Sequence, residues 1–156
     1  MIIRPGTPEE MFSLWYKFYT SDFFAENLQS GNAEFWTIDH NGRLIGELYA
    51  FKKLDDRDFA DGHTTAYLYG FYIDEAYRGI GLGTQLMNRV LERLCELGFR
   101  YATIGVEPDK QANVRLYTKM GFTEKVKAVS LNPCDVNEHF MPNPYPEYLL
   151  LRKHLP

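Results

Sequence analysis

The strongest pattern of hydrophobic and polar positions in the chain lies between residues 64 and 97. Residues 64–73 are mostly aromatic or β-branched, which predicts a β-strand. Further along, apolar side chains recur at the spacing of an amphipathic helix, at Leu86, Met87, Val90, Leu91, Leu94 and Leu97. Three alternate glycines, Gly79, Gly81 and Gly83, stand between the two patterns. The segment therefore predicts a strand, a glycine-rich loop and a helix in succession.

This predicted glycine loop has the properties of an anion-binding site. Glycine lets a backbone approach a ligand closely, and the first turn of a helix carries N–H groups without intrahelical partners. Because these N–H groups point out of the helix N-terminus, they favour a negatively charged group. We therefore expect a phosphate-bearing ligand at this loop.

The remaining patterns predict six more strands and three more helices. The strands are expected at residues 1–4, 34–39, 44–53, 101–106, 123–131 and 148–153. The helices are expected from Thr7 through Tyr19, at residues 23–28 and at residues 112–120. Thr7, Pro8 and Glu10 form a capping box at the start of the first helix.

Two connections carry recognisable turn or loop signals. Asn41-Gly42 lies between two predicted strands and indicates a tight hairpin. Residues 132–147 contain four prolines and are expected to form an irregular loop, long enough to act as a lid or to form a dimer contact.

The order of elements indicates the fold class. A single βαβ unit, formed by residues 64–106, is embedded among antiparallel hairpins. This order predicts an α/β (α+β) fold, with a mixed, mostly antiparallel central sheet of about seven strands and helices on both faces. With 156 residues, the chain is expected to form one domain, residues 1–156.

Composition narrows the function classes. The net charge is −4 and no basic stripe appears, which argues against a nucleic-acid surface. No apolar run approaches the length of a membrane span, and the N-terminus lacks a signal-peptide pattern. The two cysteines are too few for a disulfide framework and lack the spacing of metal ligands. We therefore expect a cytoplasmic protein without a metal, without a nucleic-acid partner and without a membrane partner.

Two familiar phosphate-binding motifs do not fit the loop. A dinucleotide-binding fold has two intervening residues between its second and third glycines and an acidic residue about 20 positions further on, whereas here the glycines alternate. A P-loop requires a lysine before its serine or threonine, and Thr84 follows Gly83 directly.

A second motif points to a known family. The run Leu116-Tyr117-Thr118-Lys119-Met120-Gly121-Phe122 follows the glycine loop, which itself reads Arg78-Gly79-Ile80-Gly81-Leu82-Gly83. Together they resemble the GCN5-related N-acetyltransferases, whose acyl-CoA signature is Gln/Arg-x-x-Gly-x-Gly/Ala. The run before the loop also matches, with Glu75 in place of the common proline. The resemblance covers essentially the whole chain and implies transfer of an acetyl group from acetyl-CoA to an amine.

The resemblance implies a set of cofactor-binding residues. Backbone N–H groups of the loop would hold the pyrophosphate, with contributions from Arg78, Gly79, Ile80, Gly81, Leu82, Gly83 and Thr84. Ile80 and Leu82 would pack inward or against the cofactor, and the Thr84 hydroxyl would either bind phosphate or cap the helix. Backbone groups of Phe71 and Ile73 would pair with the pantetheine arm, as an added strand does.

Tyr117 and Asn113 are the candidates on the short helix. In the family, a tyrosine at the position of Tyr117 often protonates the leaving thiolate, and a phenol of pKa near 10 can do so. The alternative is that Tyr117 only contacts the cofactor. Lys110 stands where family members often carry an asparagine, so Asn113 either replaces that cofactor contact or caps its helix.

Several residues are candidates for the general base. The attacking amine must be neutral, so a side chain or a water chain has to accept its proton. Glu107 and Glu47 rank ahead of Tyr69, Tyr72 and His63, because carboxylates near strand ends can relay protons through water. The N–H of Ile73 is expected to polarise the acetyl oxygen.

The acceptor side is predicted only in outline. The resemblance places the acceptor near the first two helices and the C-terminal hairpin, which are rich in aromatic residues: Trp15, Tyr16, Tyr19, Phe23, Phe24, Tyr145 and Tyr148. Such a cleft suits a small amine or the amino terminus of a peptide. A non-catalytic acyl-CoA sensor is the alternative function, and both a monomer and a homodimer stay open.

Overall fold

The computed structural model describes residues 1–156 and contains one seven-stranded sheet with helices on both faces. The strands are β1 (Ile2–Pro5), β2 (Ala33–His40), β3 (Arg43–Phe51), β4 (Thr65–Ile73), β5 (Tyr101–Val106), β6 (Glu124–Val136) and β7 (Pro142–His154). The helices are α1 (Pro8–Leu14), α2 (Phe18–Ser30), α3 (Leu82–Glu96) and α4 (Gln111–Lys119). The strand order is β1-β2-β3-β4-β5-β7-β6, and only β4 and β5 run parallel. The predicted fold class is confirmed.

Two hydrophobic cores lie on opposite faces of the sheet. One packs the apolar face of α3 against β2–β5, and the residues that predicted this helix, from Leu86 to Leu94, lie in it. The other contains Met11 of α1 and Phe24 of α2, packed against β2, β3 and β7. The sheet is thus covered on both sides, which leaves its strand ends as the exposed place for a site.

The local turn and cap predictions are confirmed. Thr7 and Glu10 exchange the two hydrogen bonds of a capping box at the start of α1. Asn41 and Gly42 adopt positive φ values of 53° and 88° between β2 and β3, as a tight hairpin turn requires. None of the helices combines the length and the apolar character that a bilayer crossing needs, and the longest has 15 residues.

The first helix is shorter than the sequence predicted, and the second is longer. Helix α1 ends at Leu14, and α2 begins at Phe18 instead of residue 23. Phe18 has a φ of 32°, so the chain turns there and cannot continue one helix through Tyr19. Apolar residues spaced for a single helix are therefore divided between two.

The proline-rich segment 132–147 is not an irregular loop, so this prediction was wrong. Most of it belongs to β6 and β7, which pair across it, and only residues 137–141 form the hairpin tip. Alternate residues of a strand send their N–H groups to the same edge, so Pro142, Pro144 and Pro146 remove donors from one edge only. Before Leu149, β7 pairs only with β6, so its other edge can lack N–H donors without losing a hydrogen bond.

Strands β4 and β5 separate at their C-terminal ends. Their pairing stops at Leu68 and Ile104, although both strands continue. A bulge in β4 coincides with this point, where Gly70 has a φ of 70° and the register against β3 shifts. A Cβ on Gly70 would lie 3.0 Å from the Tyr49 ring. The bulge turns the last residues of β4 away from β5 and opens a gap in the sheet.

Candidate functional site

The glycine loop and the start of α3 form a cradle of backbone N–H groups. Gly79 and Gly81 have φ values of 83° and 86°, and no atom lies within 4 Å of where their Cβ atoms would be. The N–H groups of residues 79–84 donate to no backbone acceptor, and the first bond of the helix comes from Gln85 to Gly81. The N-terminus of α3 thus presents six successive N–H groups beside open space, an arrangement suited to a diphosphate.

The structure bears on the predictions for the side chains of Thr84, Leu82 and Ile80. The helix begins at Leu82 with Gly81 as its cap, so Thr84 lies inside the first turn and does not cap it. Leu82 is buried, whereas Ile80 is 63% exposed and lines none of the neighbouring cavities.

Arg78 fastens the loop to the end of β4. Its Nε donates to the carbonyl oxygen of Ile73 at 2.7 Å, and its guanidinium lies 5.1 Å from the centre of the Tyr72 ring. The arginine therefore binds the end of β4 and also lines the cleft.

A continuous cleft runs from this cradle into the gap between β4 and β5. The part at the glycine loop has a volume of about 710 Å³, and the part between the strands about 400 Å³. Both are lined by Phe71, Lys110, Asn113 and Tyr117, which connect them. The predicted cofactor-binding residues other than Ile80 therefore surround one cleft, together with Tyr117.

The edge of β4 offers unpaired backbone groups to this gap. The N–H of Asp74 donates to the carbonyl oxygen of Ile45 on β3 at 2.8 Å. Because N–H groups alternate between the two edges of a strand, those of Ile73 and Phe71 point toward the gap. Gly83 lets α3 approach this edge, since a Cβ there would lie 3.1 Å from the Phe71 ring.

Tyr117 and Asn113 come into the cleft from α4. The Tyr117 ring is largely buried, its hydroxyl makes no hydrogen bond within the protein, and burial raises the pKa of the phenol. The cap position of α4 is Lys110, so Asn113 does not cap the helix, and it lines both parts of the cleft.

Glu107 is held in an ion pair at the rim of the gap. Its carboxylate lies 2.8 Å from Lys110 Nζ and accepts a hydrogen bond of 3.0 Å from the Tyr145 hydroxyl. These two partners lower the pKa of Glu107. The carboxylate is thus ionised but weakly basic.

Glu47 lies in a neighbouring cavity and has the opposite electrostatic setting. The cavity, of about 370 Å³, is on the α1–α2 face of the sheet and shares Tyr69 and Gly70 with the gap. The Tyr49 hydroxyl donates to Glu47 Oε1 at 2.8 Å, and Trp15 Nε1 donates to the Tyr49 hydroxyl at 3.0 Å. Burial raises the pKa of Glu47, so this carboxylate is the stronger base of the two.

The remaining base candidates are placed less favourably. Burial raises the pKa of Tyr69 to about 12, and its hydroxyl accepts a hydrogen bond of 3.1 Å from Asn132. Tyr72 stands between the cleft and the Glu47 cavity, and its ring lies under Arg78. His63 lies in an exposed turn beside Asp61 and lines none of these cavities.

Sequence reasoning missed two polar residues of the site. Asn132 lines the gap and Asp135 lines the Glu47 cavity, yet both fall in the segment expected to be an irregular loop. No regular alternation of polar and apolar residues surrounds Cys134, which is buried in β6, so the local sequence carried no strand signal. The prolines pointed to a loop instead.

Both a protein-family model and individual relatives match this chain. A model of the acetyltransferase (GNAT) family matches residues 6–122. An uncharacterized N-acetyltransferase of Mycobacterium tuberculosis is 30% identical over 115 residues, which cover 74% of this chain and 69% of that protein.

Solved structures share the fold over nearly the whole length. A GNAT family acetyltransferase from Elizabethkingia anophelis with acetyl-CoA bound has a TM-score of 0.67 at 19% identity, covering 99% of this chain and 97% of that one. A putative acetyltransferase from Salmonella typhimurium with its cofactor acetyl-CoA has a TM-score of 0.69 at 18% identity, covering 100% of this chain and 94% of that one.

Proposed function

The chain belongs to the GNAT family of acetyltransferases, and from this premise we propose that it transfers the acetyl group of acetyl-CoA to a primary amine. The observation that carries the proposal is the row of unpaired N–H groups at residues 79–84 beside a gap in the sheet. The cradle fits the pyrophosphate, and the free edge of β4 at Phe71 and Ile73 fits the amide groups of pantetheine.

In this arrangement the thioester lies in the gap between β4 and β5. The amine nitrogen attacks the carbonyl carbon, a C–N bond forms, the C–S bond breaks, and the sulfur leaves as a thiolate. The Ile73 N–H polarises the acetyl oxygen. Tyr117 gives its phenol proton to the thiolate, and its buried, raised-pKa hydroxyl is fully protonated beforehand.

We propose that Glu47, acting through water, accepts the proton of the attacking amine, in preference to Glu107. The reason is basicity, because burial raises the pKa of Glu47 while Lys110 and Tyr145 lower that of Glu107. Glu107 then serves the reaction by holding Lys110 and Tyr145 at the rim of the gap.

The test combines binding with turnover. Isothermal titration with acetyl-CoA and with CoA measures the cradle, and a thiol-release assay over a panel of amines measures transfer. We expect acetyl-CoA binding and thiol release with at least one amine. Binding without release on any amine would favour the non-catalytic sensor, and a preference for ATP or NAD over CoA would contradict the whole proposal.

We further propose a cytoplasmic location, because neither Cys95 nor Cys134 forms a disulfide. The expected partners are acetyl-CoA and the amine acceptor, and both a monomer and a homodimer are compatible with the proposal.

A further inference from the structure

Four aromatic rings stand exposed in a row at the junction of α1 and α2. They are Phe12, Tyr16, Phe18 and Tyr19, which we call the aromatic shelf. Successive ring centres are 6.3, 5.7 and 6.4 Å apart. Tyr16 and Phe18 are 63% and 69% exposed. Contiguous aromatic surface of this kind on a small protein marks a place where another molecule binds.

The backbone at the shelf carries a cost that packing does not explain. Phe18 has a φ of 32°, a conformation that glycine adopts easily and phenylalanine rarely does. The strained residue holds its ring in solvent, so the protein gains no core contact in return. Residues held in such sparsely populated conformations cluster at active sites and ligand-binding sites.

The shelf adjoins the cavity that contains Glu47. Trp15, Lys17 and Thr20 line that cavity, and the shelf residues Tyr16, Phe18 and Tyr19 lie between them in sequence. A molecule whose amine reaches Glu47 therefore leaves its remaining part beside the shelf. The α1–α2 junction forms both surfaces at once.

The charges of the cavity favour one ammonium group. Asp135 is neutralised by Lys17 Nζ at 2.9 Å and accepts a hydrogen bond from the Thr20 hydroxyl at 3.2 Å. Glu47 has no cationic partner and is hydrogen-bonded only through Tyr49. The cavity thus offers one carboxylate to one cation.

The spacing of the rings favours an extended chain over a compact amine. Alternate side chains of an extended peptide are about 6.6 Å apart, close to the separation of the rings. A peptide α-ammonium has a pKa of about 8, well below that of a lysine ammonium, so removing its proton needs less free energy. A small amine would occupy the cavity and leave most of the shelf uncovered.

Resting on the proposed function, we propose that the acceptor is the amino terminus of a peptide whose first residues carry large apolar side chains. The α-amine enters the Glu47 cavity, and the following side chains lie on the aromatic shelf. The class of acceptor is thereby narrowed from amines in general to apolar peptide N-termini.

The experiment uses two seven-residue peptides, one beginning Met-Leu-Phe and the other Gly-Ser-Gly, with phenethylamine as a small aromatic amine. Their binding is measured by isothermal titration to the protein saturated with CoA, and their acetylation by thiol release. The test variant is Phe18→Gly, which removes a shelf ring and also relieves the strained φ. The control is Leu97→Ser, an exposed apolar residue at the far end of α3.

We expect the apolar peptide to bind at least tenfold more tightly than the polar one. Phe18→Gly should weaken the apolar peptide by about tenfold, or ~1.4 kcal/mol, and leave acetyl-CoA affinity and folding intact. Leu97→Ser should change neither affinity. Because binding is measured without turnover, peptide binding with no thiol release refutes the proposed function and leaves the peptide site standing.

Three results would overturn the inference. The first is equal binding of the two peptides, and the second is acetylation of phenethylamine that exceeds that of the apolar peptide. The third is a dimer that Phe18→Gly converts to a monomer by light scattering without a change in peptide affinity. That result would assign the shelf to a second copy of the chain.

Discussion

Replacing Gly81 by alanine tests the anion cradle directly. Gly81 caps α3 at a φ of 86°, where an L-residue costs roughly 1–2 kcal/mol of stability. No protein atom lies within 4 Å of the added methyl group, so it clashes with nothing in the free chain. Its effect on ligand binding therefore comes from the shape of the cradle and from bulk placed beside the ligand.

The chain offers a matched control at the other end of the same helix. Gly98 follows α3 at a φ of 92°, and its Cβ position is equally open. Gly98→Ala should lose a similar free energy of unfolding, measured by urea denaturation. The two glycines are separated by the whole length of α3, about 22 Å, so only Gly81→Ala should affect the ligand.

The expected size of the binding effect follows from the hydrogen bonds. A bond from a backbone N–H to a charged oxygen contributes about 1.5–3 kcal/mol. Losing one of them weakens acetyl-CoA binding roughly tenfold to hundredfold, as measured by isothermal titration. The thermal shift gives a second readout, since ligand at about 100 times its Kd stabilises the native protein by about 2.7 kcal/mol and a tenfold loss halves this gain.

The two variants should differ if the cradle binds the diphosphate. Equal acetyl-CoA affinity in Gly81→Ala and Gly98→Ala, with equal losses of stability, would show that the diphosphate binds elsewhere. Gly81→Glu adds a negative charge at the same point and should abolish measurable binding; retained binding in this variant would refute the cradle independently.

Three further predictions concern single side chains. Tyr117→Phe should lower kcat at least tenfold with little change in acetyl-CoA affinity, whereas Tyr101→Phe should change neither; unchanged kcat would remove Tyr117 as the acid. Glu47→Gln should lower kcat/KM and remove the part of its low-pH fall that the Glu47 carboxyl causes, leaving the part due to protonation of the amine. Because the pKa of Glu47 is raised in the folded protein, wild-type stability falls as pH rises from about 4.3 through that pKa. Glutamine does not titrate, so the variant should be more stable than the wild type above the raised pKa and no more stable below about pH 4.3. Urea denaturation across pH measures the difference. Asp61→Asn should cost about 1–3 kcal/mol at neutral pH, because the carboxylate accepts three backbone N–H bonds in its turn; the exposed Asp55→Asn is the control, and equal stability of the two would contradict this role.

Features that depend on neighbouring residues could be predicted from the sequence. The amphipathic spacing of α3, the glycines before it, the capping box at Thr7 and the Asn41-Gly42 turn each act over a few residues. Helix periodicity and positive-φ turns are local properties, so the pattern and the structure agree there. The motif at Tyr117 is likewise a short run of neighbouring residues. The cleft forms where its helix, α4, lies beside the glycine loop.

The predictions that failed depend on partners distant in sequence. Segment 132–147 becomes two strands because each half supplies the pairing that the other needs, and the three prolines of β7 share one edge of that strand. The early helix divides at Phe18, where the backbone takes an unfavourable φ that no local pattern favours. Propensity is a weak guide when a tertiary contact opposes it.

The different basicities of Glu47 and Glu107 arise in the same way. Each is one acidic residue on or beside a strand. Tyr49 and Lys110 lie within three residues of them, but the sequence does not show that one carboxylate is buried and the other is ion-paired at the rim. Folding buries Glu47 beside Tyr49 and leaves Glu107 paired with Lys110, so that their pKa values move in opposite directions. Desolvation and ion pairing are properties of three-dimensional surroundings, which exist only once β3, β4 and β5 are assembled.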